Sequence, residues 1–589
     1  MSARLRSLGG RCAAPLLVAL LSAVASGPAL AETAVEPPPA EAAPPQAAAR
    51  PEAEAPLAAS EPDPLTPKPV EAAPLAAPGA PLAAPAKVRA GEPDAIVAAV
   101  RRELGPADDI TETTAEARDR RALAAFYADG DGRALWTGRD GLTPRGRAVI
   151  AELERAADWG LDPAAFSVPR ELAPGASPEV TARAEIEIGL AVLKYARHAR
   201  GGRIEPSTLS RAIDRRPQLY EPGTVLAAIA AAGEADAYLR DLHPRHAGFR
   251  NLQKALAAAR ADASARPDAI QRILVNMERW RWLPDDLGEF HIVDNVPEQM
   301  TRAYRDGRIV FEERIVVGKP TQQTPEFSAA LKFVIFHPSW GVPDGIKTNE
   351  IGPMLRRAAA RSGPGDWLFG GGESVVSRTL ARHELVVMHN GRRVNPDAVD
   401  WTRVDVRQFQ FTQPPSNRNV LGVVKFRFPN KFDVYMHDTQ DKHLFSHNVR
   451  AYSHGCMRVQ NPMRLAEVIL AYDKGWSGER VRNFVGRGQT SDVTIDKNIP
   501  VHIVYFTAVA DEDGKLRTFP DLYGRDGRLA SALAGKPVAI ASASPPAAEK
   551  PERSAGAPSA RRPMPRQQAA KSAPRPAEPF NPFAAISSN

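Results

Sequence analysis

The chain has 589 residues, of which 55 are proline and two are cysteine, and its formal net charge is +7. Length alone would allow several domains, yet both ends are so rich in Ala and Pro that folding is confined to about 90–525. The positive charge fits an anionic partner such as nucleic acid, membrane or wall polymer, without choosing among them. Residues 1–31 read as a secretory signal peptide: Arg4, Arg6 and Arg11 precede a short apolar run, and Ala29-Leu30-Ala31 makes a small-residue cleavage site. The apolar run is shorter than the ~20 residues a membrane span needs. No transmembrane span is therefore expected after signal cleavage, retention as an anchor being the alternative. Export implies a periplasmic protein and argues against nucleic acid.

Residues 32–89 are nearly all Ala, Pro and Glu and read as a disordered, extended spacer. From 90 to 215 apolar residues recur at helical spacing, as in Ile96, Val97, Val100 and Leu104, or Val149, Ile150 and Leu153. Ser177-Pro178 and Ser207-Thr208 look like helix starts and Gly201-Gly202 like a stop. This helical region has no Cys, His and carboxylate cluster at ligand or catalytic spacing, and His198, His243 and His246 are expected on the surface or in the core. A helical connector covers 216–267, and a helix is expected over 269–282. The texture then changes to short strands at 290–293, 301–304, 308–317, 332–336, 423–426 and 432–437, with a hairpin turn at Asp306-Gly307. Between them, about 344–415 reads as helix then loop, broken by glycines at 363–365 and 370–372, and looks inserted in the manner of a lid. Residues 526–589 read as a disordered basic tail, with Arg561, Arg562, Arg566, Lys571 and Arg575, suited to weak contact with anionic envelope polymers.

Cys12 would leave with the signal, and Cys456 would then be alone in an oxidising compartment. Such a thiol is inert and buried, paired with another chain, or reactive. Its setting favours reactivity. The chain reads Tyr435-Met436-His437-Asp438-Thr439 and then, after a polar loop, Tyr452-Ser453-His454-Gly455-Cys456-Met457-Arg458. On a strand Tyr435 and His437 share a face. Gly455 permits close approach of an incoming carbonyl, and the amides of Gly455 and Cys456 are candidate oxyanion donors. A thiol needs an activating base, and His437 and His454 are placed to serve. Asn461-Pro462 opens a helix one turn after the cysteine, with Asn461 as N-cap. Zinc held by His437, His443, His447, His454 and Cys456 is the bland alternative, although the spacing is irregular and one cysteine is unusual for a structural site. His443 and His447 are expected to be solvated. Arg458 is either a salt-bridge residue or a contact for a substrate carboxylate.

These residues resemble the signature of L,D-transpeptidases with a YkuD-type catalytic domain: a histidine, a loop, then Ser-His-Gly-Cys-x-Arg and an Asn. The runs at 273–282, Val317-Gly318-Lys319-Pro320, Gln323-Thr324-Pro325 and Gly422-Val423-Val424-Lys425-Phe426 are similar to the larger periplasmic branch, in which a helical scaffold domain comes first. The resemblance implies an α+β chain. A helical scaffold at 90–215 would precede a β-rich, β-sandwich-like catalytic domain at 268–510, with a lid inserted at about 345–415. It implies Cys456 as nucleophile, His437 as general base, His454 and Tyr435 shaping the site, the Gly455 and Cys456 amides as oxyanion hole, and Arg458, Ser453 and Asn461 as substrate contacts. No metal or other cofactor is implied. The reaction implied is acyl transfer from a peptidoglycan stem peptide, through a Cys456 thioester, to a diaminopimelate amine, giving a 3→3 cross-link. An L,D-carboxypeptidase or cross-link hydrolase, and an inactive wall-binding structural factor, are the alternatives. One departure is visible: residues 216–266 are too few for the peptidoglycan-binding module that many members carry there.

Overall fold

The computed structural model describes residues 95–129, 133–361 and 374–541. The expected signal peptide, the spacer, the glycine breaks of the insertion and most of the basic tail lie outside them. The first part is helical, as expected, with α1 (Ala95–Leu104), α2 (Ala115–Asp129), α3 (Pro144–Glu154) and α4 (Pro178–Gly201) as its main elements. Ser177 caps α4 by accepting from the Val180 amide, and Gly202, at φ 88°, ends it. By contrast, Ser207-Thr208 belongs to a single 3-10 turn rather than a helix start. Val97, Val100, Leu123, Tyr127, Trp136, Leu153, Ile188 and Tyr195 are buried together as the core of this part. His243 is buried, stacked on Trp159 with ring centroids 4.3 Å apart, and 2.9 Å from the Tyr195 hydroxyl.

The helices α5 (Pro222–Ala231), α6 (Ala235–Asp241), α7 (Ala247–Ala261) and α8 (Pro267–Trp280) lead to the strands. Eleven strands among the described residues form one curled sheet. They are β1 (Phe290–Asn295), β2 (Met300–Arg305), β3 (Arg308–Gly318), β4 (Phe327–Ala330), β5 (Phe333–Phe336), β6 (Val424–Arg427), β7 (Met436–His437), β8 (Ala451–Ser453), β9 (Met457–Val459), β10 (Ser491–Thr494) and β11 (Pro500–Val504). Their order is β10-β5-β6-β7-β9-β3-β2-β1-β11-β4, with β8 also beside β3. Asp306 and Gly307 both have positive φ, the backbone a tight β2–β3 hairpin needs. The sheet curls around Phe290, Ile292, Phe311, Ile315, Val334, Phe336, Phe426, Met436 and Met457. Leu465 and Ile469 of the following helix, α11 (Pro462–Lys474), close that core with Val481 of α12 (Gly478–Gly486).

Two expectations change here. The stretch expected as helix then loop is a small α/β unit: helices α9 (Gly352–Arg361) and α10 (Val375–Arg382) pack on a four-stranded sheet built from 340–341, 386–389, 392–393 and 410–413. It has its own core, including Trp340, Ile351, Leu355, Leu380, Trp401 and Phe411. Residues 526–533, expected as the start of the disordered tail, instead belong to α13 (Arg525–Leu533), which packs Leu529 against Leu209, Ile213, Val275 and Trp282. Its alanines and few large apolar residues disguise one buried face. Among the described residues no helix is long and apolar enough to cross a membrane.

Candidate active site

Parallel pairing of β7 with β9 sets Met436 opposite Met457 and His437 opposite Arg458, so Cys456, just before β9, arrives beside the histidine strand. The Met457 amide extends this pairing by donating to the Tyr435 carbonyl at 3.1 Å. A parallel pair needs a long crossover, here the polar loop after His437 with β8, which runs parallel to β3. A cavity of about 170 Å³ results, lined by Tyr435, His437, Ser453, His454, Cys456 and Arg458, with Trp340 and Ile346 coming from the insertion.

His437 is buried, and its Nδ1 lies on the Asp438 carbonyl oxygen. A carbonyl only accepts, so Nδ1 carries the proton and Nε2 is left basic. Burial, reinforced by Arg458, pushes the imidazole down to about 3, so it rests neutral. Cys456 is half-buried, with Sγ 3.9 Å from the Asp433 carbonyl oxygen. Burial pushes its thiol up to about 11, while the Tyr435 amide and hydroxyl and the Lys425 ammonium oppose that rise. Thiol and imidazole are thus both uncharged at rest.

Gly455 has φ 119°, closed to most side chains, and its carbonyl accepts from Thr324 Oγ1 at 2.8 Å. Thr324 Oγ1 also accepts from the Gly318 amide at 2.9 Å. One buried hydroxyl therefore ties two of the recognisable runs to the cysteine loop. The Gly455 amide, expected to serve the oxyanion, instead donates to Ser453 Oγ at 3.1 Å. Ser453 Oγ in turn donates to the Cys456 carbonyl at 2.5 Å, so Ser453 is engaged in holding the turn. The Cys456 amide has no hydrogen-bond partner among the described residues.

Of the two roles open to Arg458, the salt bridge is the one displayed: Nη1 is 2.7 Å from Asp441 Oδ2, and the residue is 6% exposed. His454 Nε2 contacts Glu350 Oε1, from the π-helical turn Lys347–Ile351 that opens the insertion, and lies 3.5 Å from Lys319 Nζ. Asn461 is not in the cavity, and its side chain makes no cap for α11. Its Nδ2 donates to Glu313 Oε1 at 2.6 Å instead. His443 and His447 are exposed, with His447 Nδ1 2.8 Å from the Tyr452 hydroxyl. Lys425, Glu350, Thr324 and Asp433 were not among the residues expected to make the site. Lys425 and Thr324 lie in runs that carried the resemblance; nothing local marks Glu350.

Two family models match the chain: a scaffold domain over residues 121–256, and the L,D-transpeptidase catalytic domain of the YkuD family over residues 289–495. A Haemophilus influenzae protein named "Putative L,D-transpeptidase" is 28% identical over 262 residues, 44% of this chain and 49% of that protein. The chain spans about half the length of that curated relative. Among solved structures, the Ldtfm-avibactam carbamoyl enzyme is 14% identical, over 37% of this chain and 49% of that one, at a TM-score of 0.15. An L,D-transpeptidase from Mycobacterium smegmatis is 12% identical, over 37% and 58%, at 0.16. Superpositions this loose add no argument. The family matches and the curled sheet agree, and the chain carries an L,D-transpeptidase catalytic domain of the YkuD family behind a scaffold domain.

Proposed function

We propose that this protein is a periplasmic cysteine acyltransferase that joins peptidoglycan stems by 3→3 cross-links. Cys456 attacks the carbonyl of the third residue of a tetrapeptide stem, and its proton passes to Nε2 of His437. The tetrahedral intermediate collapses, the C–N bond to the terminal D-Ala breaks, and His437 returns the proton to the leaving amine. A diaminopimelate side-chain amine on a neighbouring stem then attacks the thioester and frees the thiol. The Cys456 amide, unengaged at rest, is the donor available to the oxyanion. The observation that carries the reading is the half-buried Cys456 thiol sharing a cavity with a neutral histidine whose Nδ1 is fixed on a backbone carbonyl.

Incubating the purified protein with tetrapeptide muropeptides tests it. Cross-linked dimers are expected; tripeptide monomers alone would instead indicate a carboxypeptidase, with water as acceptor. Intact mass after exposure to a donor stem or a carbapenem should show one covalent adduct, absent from Cys456→Ala. An adduct on that variant would refute the assignment.

A further inference from the structure

Burial leaves the two reacting partners badly matched. With the thiol held up at about 11 and the imidazole down at about 3, passing the proton from Cys456 to His437 is steeply uphill. That balance already includes the groups that favour the sulfur's anion, and Lys425 is one of them.

Lys425 stands in the right place. It lies on β6 directly opposite His437 of β7. Its Nζ sits 3.9 Å from the centre of the Tyr435 ring, and the Tyr435 amide and hydroxyl face the Cys456 sulfur. The side chain is half-buried, and burial weakens its hold on a proton. No carboxylate forms an ion pair with it among the described residues. Of the charges acting on the ammonium, Cys456 comes first, ahead of Asp433, Arg427 and Asp492. A cation kept partly out of water without a carboxylate partner is costly unless an anion forms next to it, and the anion this site forms is the thiolate.

We propose that Lys425 is a positioning residue for the nucleophile: its ammonium, held over the face of Tyr435, steadies the Cys456 thiolate while the sulfur's proton sits on Nε2 of His437. This rests on the reading of Cys456 as the nucleophile. The competing role is purely structural, a lysine that covers an aromatic ring. The two differ in what they do to ionisation, because only the first couples the lysine's charge to the sulfur. The remaining charged and titratable groups around the pair are His437, His454, Tyr435, Asp433 and Arg458 at the sulfur, and Arg427, Asp433 and Asp492 at the ammonium. The ammonium also acts on His437, opposite it in the sheet, and helps to hold that imidazole neutral, whereas alkylation reads the ionisation of the sulfur alone.

The test is alkylation of Cys456 by iodoacetamide in the full chain, followed by intact mass from neutral to alkaline pH, for the wild type, Lys425→Met and Lys425→Arg. Thiolate displaces iodide, so the rate follows the ionised fraction and needs no transpeptidase activity. Lys425→Met should react about tenfold more slowly at neutral pH, with the gap closing as the medium becomes alkaline, and Lys425→Arg should follow the wild type. Lys425→Gln gives the same comparison if the methionine variant does not fold. The proposal is overturned if the neutral variant reacts as fast as the wild type, if Lys425→Arg is as slow as Lys425→Met, or if the slowing is equal at every pH. A lysine-dependent profile in a wild type that forms no thioester with a donor stem would sink the proposed function and leave this inference standing; thioester formation without that profile would do the reverse.

Discussion

Gly455 shows how much of the site rests on one backbone conformation. A Cβ built there would meet nothing closer than the Gln323 carbonyl oxygen at 3.6 Å, so space is available and only the φ of 119° forbids a side chain. Gly455→Ala should cost about 1–3 kcal/mol through backbone strain. It should also slow adduct formation at Cys456, because the strain is relieved by turning the peptide next to the proposed nucleophile. Thermal melting and timed intact mass check both effects, and a variant that melts and acylates like the wild type would contradict the argument. The motif makes the glycine's presence legible. That its amide is already used by Ser453 is not, since this depends on a turn that brings the hydroxyl two residues back onto it.

Among elements, the insertion and the cysteine loop meet through Glu350 and His454. Their side chains are 23% and 14% exposed, and the apolar core of the insertion reaches Tyr435 and Cys456. A single hydrogen bond of this kind contributes about 1 kcal/mol to stability, so its consequence is mainly positional. Glu350→Ala is expected to leave the melting temperature nearly unchanged while slowing acylation of Cys456 several-fold, measured as the second-order rate with a carbapenem. An unchanged rate would show that the insertion holds its place by apolar packing alone. The sequence indicates that something is inserted here, because an apparent helix interrupts a run of strands. Its strands are only two to four residues long and partly polar, so their pairing is invisible without the partners.

For the whole molecule, the segment after β11 reaches back to the runs that hold the cysteine loop. Arg525, only 4% exposed, bonds Glu326 at 2.6 Å, the Gln323 side chain at 3.0 Å and the Thr324 carbonyl at 3.1 Å. Tyr523 donates to the Gly318 carbonyl at 2.6 Å. Thr324 then holds Gly455, so three bonded residues link α13 to the turn before Cys456. On the other side, Arg279 of α8 pairs with Asp526 at 2.6 Å and Asn276 accepts from the Thr507 amide at 2.9 Å, joining the helical part to the same support. Arg525→Met would leave Glu326, itself 2% exposed, without its ion-pair partner and with Arg215 as the remaining cation acting on it. A loss of about 3–5 kcal/mol is expected, read by denaturant unfolding. Adding Glu326→Gln should recover part of it, and a double variant no better than the single would argue that packing rather than charge is lost.

The sequence by itself determined the order of helical part before strand-rich part, the strands β1, β2, β3, β5, β6 and β7, and the candidate pair His437 and Cys456. Those features are written in periodicity and residue type, which act locally. The tertiary structure decided what each polar atom near the cysteine is free to do. Ser453 and Arg458 read as groups for a substrate, yet their partners Gly455 and Asp441 already engage them. Lys425 reads as one residue in a strand, yet pairing across the sheet sets it opposite His437. Hydrogen bonds and charges act over a few ångströms of space whatever the distance along the chain, and only the folded sheet fixes which groups share those few ångströms.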